Sequence, residues 1–263
     1  MVSWQLQLQE DVRLGRDSVF MRPEWKSAFY QAINSSTLQP ALKAMYRLWV
    51  EMAVWPALAR LVRLLCQDPS DSMAAAELLL RATPVIEWLD RENETTITSL
   101  VETGRVAEVE NFLDQDMFAT CYQFRDADTA KYFYTHAMFN IIISRTMQEA
   151  NLVLERHDPS ATKRCSEYSR RIWMCYPWMR TRRPLAVEYT GALAFSYESA
   201  NNEEEREFCV RGLEGMEYFR RPPPVGQWID ATIMANVKAY TGRLPFIKNQ
   251  DVTIELCGLG CRF

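Results

Sequence analysis

The chain of 263 residues is 48% hydrophobic and 24% charged, a composition that supports a full buried core and excludes an intrinsically disordered protein. Its net charge of −4 and isoelectric point near 5.4 leave no whole-chain electrostatic footprint for nucleic acid. Nine glycines, with no Asn-Gly or Asp-Gly pair among them, give tight hairpins little to turn on.

In chain order, the opening "VSWQLQLQEDVRLG" mixes glutamines and acids without an apolar run, and it reads as neither a signal nor a transit peptide. Residues 41–66 place Leu42, Met45, Leu48, Met52, Trp55, Leu58, Leu61 and Leu65 at three- and four-residue steps, the apolar face of a helix. Pro56 is expected to kink or split that helix, because proline removes a donor and clashes one turn back. Charges at Lys43, Arg47, Glu51, Arg60 and Arg63 rule the segment out as a membrane span. "DPSD" at 68–71 then predicts a helix start with Asp68 as cap, the helix running through Pro84 to about Asn93.

A third helix is predicted over 97–113 and a long fourth one from about Asp128 to His157. Further helices follow over 160–176, 184–200, 202–220 and 225–240, bounded by "YP" at 176–177, "RP" at 183–184 and "RPPP" at 221–224. Asp126 and Asp128 read as helix caps, and "NNEEERE" at 201–207 as a helix start with acids in its positive first turn. The tail 243–263 has β-branched character and is short. The expected fold is all-α: one domain over 1–263, with about eight to ten mostly antiparallel helices.

Known catalytic signatures are missing: no GxSxG, GxxxxGK, GxGxxG after a strand, or HExxH. Acids at "DQD" 114–116 and "RDAD" 125–128, with "NIIISRTMQE" at 140–149, approach a magnesium-binding pattern. The register fails, since the fourth residue after Ser144 is Gln148. Seven cysteines at 66, 121, 165, 175, 209, 257 and 261 are irregularly spaced and read as reduced thiols. Cys257 and Cys261, with only two histidines in the chain, do not make a zinc site, so no metal and no cofactor are expected.

Two constellations remain. On the long fourth helix, Tyr132, His136, Asn140 and Ile143 share a face, combining a phenol, an imidazole and an amide with apolar neighbours such as Phe139. This is either a satisfied core histidine or a set of polar groups placed for proton transfer or for holding a carbonyl. In "SRRIWMCYPWM" at 169–179, Trp173, Tyr176 and Trp178 either pack a core or wall an apolar pocket. Arg170 and Arg171 read as a solvated face.

Two stretches, "RDSVFMRPEWKSAFYQ" at 16–31 and "SRRIWMCYPWMRTRRPLAVEYTGALAFSYESANNEEEREFCVRGLEGM" at 169–216, and the helix spacing between them, resemble the regulatory domain of fungal binuclear-zinc-cluster transcription factors. Phe20, Arg22, Pro23 and Trp25 match the first pattern of that family. Trp173, Tyr176, Gly191, Ala192, Glu204 and Glu205 match the second, and the likeness covers roughly 16–240. The clustered cysteines and basic segment of the family's DNA-binding module have no counterpart here. The resemblance therefore implies a helical sensing domain without direct nucleic-acid contact. Two functions follow. One is a cofactor-independent cyclase or isomerase of fungal secondary metabolism, closing a polyene or a terpenoid or polyketide precursor by a pericyclic-type step. The other is a regulator-like protein that binds a metabolite or partner factor. The first assigns His136, Tyr132 and Asn140 to catalysis and Trp173, Tyr176, Trp178, Phe139 and Ile143 to substrate binding. The expected partner is an apolar small molecule, with a homodimer left open and no membrane. The expected location is cytoplasmic, or nuclear for the regulator.

Overall fold

The computed structural model describes residues 3–111, 117–217 and 230–243. Of these, 3–91, 142–161 and 238–243 gather into one compact unit and 92–111, 117–141, 162–217 and 230–237 into another. Both are helical; among the described residues the one sheet is a two-stranded hairpin in the second unit. The all-α expectation holds.

The first unit is built from α1 (Ser3–Leu14), α2 (Pro23–Ser35), α3 (Pro40–Glu51), α4 (Trp55–Gln67) and most of α5 (Ser72–Glu92). The 41–66 periodicity becomes two helices separated by a 3-10 turn, Met52–Val54. Pro56 lies in the first turn of α4, where its missing N–H is harmless, so proline here starts a helix. Glu51 ties α2 to α3, accepting from Lys26 Nζ at 2.7 Å and from Tyr30. The start of α5 differs from expectation by one turn. Asp71, not Asp68, accepts from the Ala74 N–H (2.9 Å), while Asp68 closes a tight turn onto Ser70. Pro84 stands inside α5 as predicted.

The last residues of α11 (Asp230–Thr241) belong to this unit and are held by α4. Trp55 Nε1 donates to the Tyr240 carbonyl (2.9 Å) and Arg63 Nη2 to that of Ala239 (3.0 Å). Both side chains are buried and satisfy carbonyls that a helix end leaves without intrahelical partners. Gly242 follows with φ +84°, and the Arg243 N–H bonds to the Lys238 carbonyl at 2.8 Å. A Cβ at Gly242 would stand 2.1 Å from the Ala59 carbonyl oxygen, so glycine is required both for its conformation and for its contact.

The second unit overturns the expected helix at 97–113. α5 leads through a π turn, Asn93–Ile97, into a single short α6 (Thr98–Glu102), which ends at Gly104 with φ +67°. The chain then forms β1 (Val106–Glu110), paired antiparallel with β2 (Thr120–Phe124) in the register Val106↔Phe124 to Glu110↔Thr120. The missing Asn-Gly signal excludes only tight hairpins, and this one has a long connection. Asn111 closes its base: its N–H reaches the Ala119 carbonyl (2.8 Å) and its Nδ2 that of Phe118 (3.0 Å).

The long helix α7 (Ala127–Val153) is capped by Asp126, which accepts from the Thr129 N–H at 2.8 Å. Residues 132–144 are buried on every side, as a helix apolar all round must be. α8 (Pro159–Met179), α9 (Arg183–Tyr197) and α10 (Glu203–Glu217) follow. Pro177 does not end α8, which continues to Met179. Asn202 caps α10, accepting from the Glu205 N–H at 2.9 Å. Gly212 lets α10 approach α8 and α9: a Cβ there would meet Leu193 Cδ2 at 2.6 Å and the Tyr176 ring at 3.4 Å. Expectations for "DQD" at 114–116, "RPPP" at 221–224, Cys257, Cys261 and nearly all of the tail lie outside the described residues.

Candidate functional site

The Tyr132–His136–Asn140 stripe forms as the helical spacing implies, and all three side chains are fully buried. Asn140 Nδ2 donates to the His136 carbonyl at 3.0 Å and stands 3.4 to 3.5 Å from the two imidazole nitrogens. Asn140 Oδ1 accepts from Arg164 Nη1 at 3.5 Å. The imidazole packs edge-on against Tyr168 with centroids 5.8 Å apart, and the Tyr132 hydroxyl donates to Glu92 at 2.6 Å. Phe139 and Ile143 are also fully buried.

The three aromatic side chains of 173–178 have separate settings. Trp173 is buried, donates from Nε1 to Ser196 Oγ (2.8 Å) and stacks on Phe118 with centroids 6.2 Å apart. Tyr176 lies against Gly212 and Gly215 of α10, edge-on to Phe208 at 5.4 Å. Trp178 faces the hairpin, its ring edge-on to Phe124 at 5.2 Å.

Beside Trp178 the structure opens a cavity of about 360 Å³ between the hairpin and the end of α8. Val109, Cys121, Tyr122, Phe124, Pro177 and Trp178 form its apolar walls. Its polar margin is Glu110, Gln123, Thr181 and Arg182, all exposed, so the cavity meets solvent there. Volume and lining fall in the range of small-molecule sites, apolar and aromatic with a few polar groups. Of the residues expected from sequence to bind or transform a substrate, Trp178 alone is in the lining.

Burial sets the protonation of the nearby groups. Loss of hydration holds the Tyr122 phenol above its ordinary range, against the opposing pull of the Arg171 guanidinium. Cys175 is pushed well up by complete burial, and Cys209 up to about 12. These thiols are inert at neutral pH. Three arginines lie over aromatic rings: Arg170 over Phe118 (5.2 Å), Arg171 over Tyr168 (4.7 Å) and Phe133 (5.2 Å), and Arg182 over Trp178 at 3.6 Å. Arg170 is exposed, as a solvated face implies, whereas Arg171 is half-buried and also donates to Asn93 Oδ1 at 2.9 Å.

Tyr122, Phe124, Glu110 and Arg182 escape a helix-period reading. The signal for two of them is present as a period of two in "FATCYQF": Phe118, Thr120, Tyr122 and Phe124 alternate as a half-buried strand does. Arg182 has no such signal, because its ring partner is set by the last turn of α8. Among the described residues no group of three or more His, Cys, Asp or Glu side chains could hold a metal ion, and no helix is long and apolar enough to cross a membrane. Comparison with models of protein families, with curated proteins and with solved structures finds no match to this chain.

Proposed function

We propose that the chain binds a small molecule with an apolar, ring-sized body in the cavity between the hairpin and the end of α8. One observation carries this reading: a volume of about 360 Å³ walled by Tyr122, Phe124, Pro177 and Trp178 and open at a polar margin. Aromatic walls supply contact area at low entropic cost, and a flat ligand gains offset stacking or edge contacts on two of them. The sensing-domain resemblance points to the same class of ligand.

A second reading, cofactor-independent cyclisation or isomerisation, is favoured by Tyr122. A phenol is protonated at neutral pH, so Tyr122 brings a hydrogen-bond donor to the lining of an apolar cavity. A donor placed on a substrate carbonyl polarises it. Orientation of reacting ends supplies a further share of the barrier, about 7–11 kcal/mol at its ideal limit. In this reading the buried Tyr132–His136–Asn140 stripe supports the fold of α7, and chemistry occurs at the cavity.

Binding is tested with the neutral apolar fluorophore N-phenyl-1-naphthylamine. Val109→Trp fills the cavity and is expected to weaken saturable binding at least tenfold. An unchanged affinity would place the probe elsewhere and overturn the proposal. Turnover is tested by deleting the gene. Accumulation of one uncyclised precursor with normal transcripts of neighbouring genes is expected for the cyclase, and collapse of those transcripts would overturn it.

A further inference from the structure

The polar margin of the cavity contains a guanidinium whose arrangement is unusual for an exposed arginine. Arg182 Cζ lies over the Trp178 ring, 3.6 Å from its centroid. Its Nη1 donates twice, to the Trp178 carbonyl (3.1 Å) and to Thr181 Oγ1 (2.8 Å). An exposed arginine ordinarily samples many rotamers, and fixing them on binding is costly. Here two hydrogen bonds and the ring contact have already fixed the plane.

Both bonds use the same nitrogen and end on neutral oxygens. The Nε–Nη2 edge has no partner among the described residues, and no carboxylate there pairs with Arg182. That edge presents two parallel N–H groups at the spacing of carboxylate oxygens, the side-on fork of bidentate recognition. Directly after it, α9 begins at Arg183 with Arg182 as its N-cap and no side-chain cap bond, so the local backbone also favours negative charge. Glu110 is the one acid in the lining; it makes no ion pair with Arg182 and lies on the hairpin side of the cavity.

We infer that the ligand of this cavity carries an anionic group, a carboxylate in the first instance, gripped by the free Nε–Nη2 edge of Arg182 while its apolar body occupies the aromatic walls. This rests on the cavity reading above and narrows it to apolar acids. It also gives Thr181 and Trp178 a role as positioning residues that hold the guanidinium plane.

The test is calorimetry with two probes of equal size, 1-naphthoate and neutral 1-naphthalenemethanol. The full chain is expected to bind the acid about tenfold more tightly than the alcohol. Arg182→Gln is expected to reduce that ratio to about one. Arg182→Lys, which keeps the charge and loses the fork, is expected to leave an intermediate ratio, and Arg180→Gln to leave the ratio of the parent. Should Arg182→Gln bind neither probe, the parent decides: its preference for the acid must shrink between 20 and 500 mM salt (roughly a fivefold change in screening length) while alcohol binding holds. Equal affinity for both probes in the parent, or an acid preference that survives Arg182→Gln, overturns the anion inference and leaves the cavity reading standing. Failure of the parent to bind either probe overturns both.

Discussion

Two regions use the same residue types to opposite ends. In the first unit, Trp55 Nε1 and Arg63 Nη2 donate to the Tyr240 and Ala239 carbonyls, and Gly242 brings the backbone onto Ala59 with no room for one methyl group. In the second, Arg182 lies over the Trp178 ring beside an open cavity, and three of the five guanidinium N–H groups face no protein acceptor among the described residues. The first tryptophan–arginine pair closes a helix end. The second leaves a surface unfinished. Polar groups buried on backbone acceptors hold that helix end, whereas the exposed edge of Arg182 leaves donors at the mouth of the cavity.

The comparison can be broken most sharply at Gly242. Gly242→Ala places a side chain in the left-handed region and against the Ala59 carbonyl, and is expected to cost about 3 kcal/mol or more, read as a shift in the urea midpoint. A loss under about 1 kcal/mol would mean that the α11 end is loosely held.

The next effect separates the two tryptophans of α8. Trp173→Phe removes the bond to Ser196 from a fully packed position and is expected to destabilise by about 2 kcal/mol while leaving naphthyl probes bound. Trp178→Ala is expected to weaken probe binding at least tenfold. If the two substitutions have the same profile, Trp178 is a core residue like Trp173.

A smaller effect concerns alkaline pH. Tyr122, Tyr189, Cys175 and Cys209 in the second unit all have pKa values raised by burial; the first unit has Tyr240 and Cys66 in the same sense. A raised folded-state pKa means that the folded chain keeps its proton when the unfolded chain has lost it. That stability is fully present below the unfolded pKa and is lost as pH rises through the folded one. Stability should therefore hold near neutrality and fall above about pH 9, each such group adding up to about 1.4 kcal/mol per pH unit. Urea midpoints at rising pH measure the slope, and Cys175→Ala with Cys209→Ala should flatten it.

Much of this molecule is legible in its sequence. The periodicity over 41–66, the long helix α7 and the caps at Asp126 and Asn202 follow from local chemistry that acts over one or two turns. The hairpin was obscured because glycine scarcity and the lack of a tight-turn signal argue only against short loops, while Phe118 to Phe124 alternate with the period of a strand. The site lay further from reach. Its walls come from β2 and the end of α8, brought together over more than fifty residues of chain, and the decisive feature of Arg182 is which of its nitrogens are already occupied. The His136 stripe is conspicuous as a pattern, yet its polar atoms are engaged inside the fold.

The central claim, a ligand seated against Trp178, is tested most directly by following the eight indole N–H resonances of the chain during titration with a naphthyl probe, assigning Trp178, Trp173 and Trp55 by phenylalanine substitution. The account requires the Trp178 signal to shift and saturate while Trp173 and Trp55 stay in place. A Trp178 signal that does not move while the probe binds would contradict it.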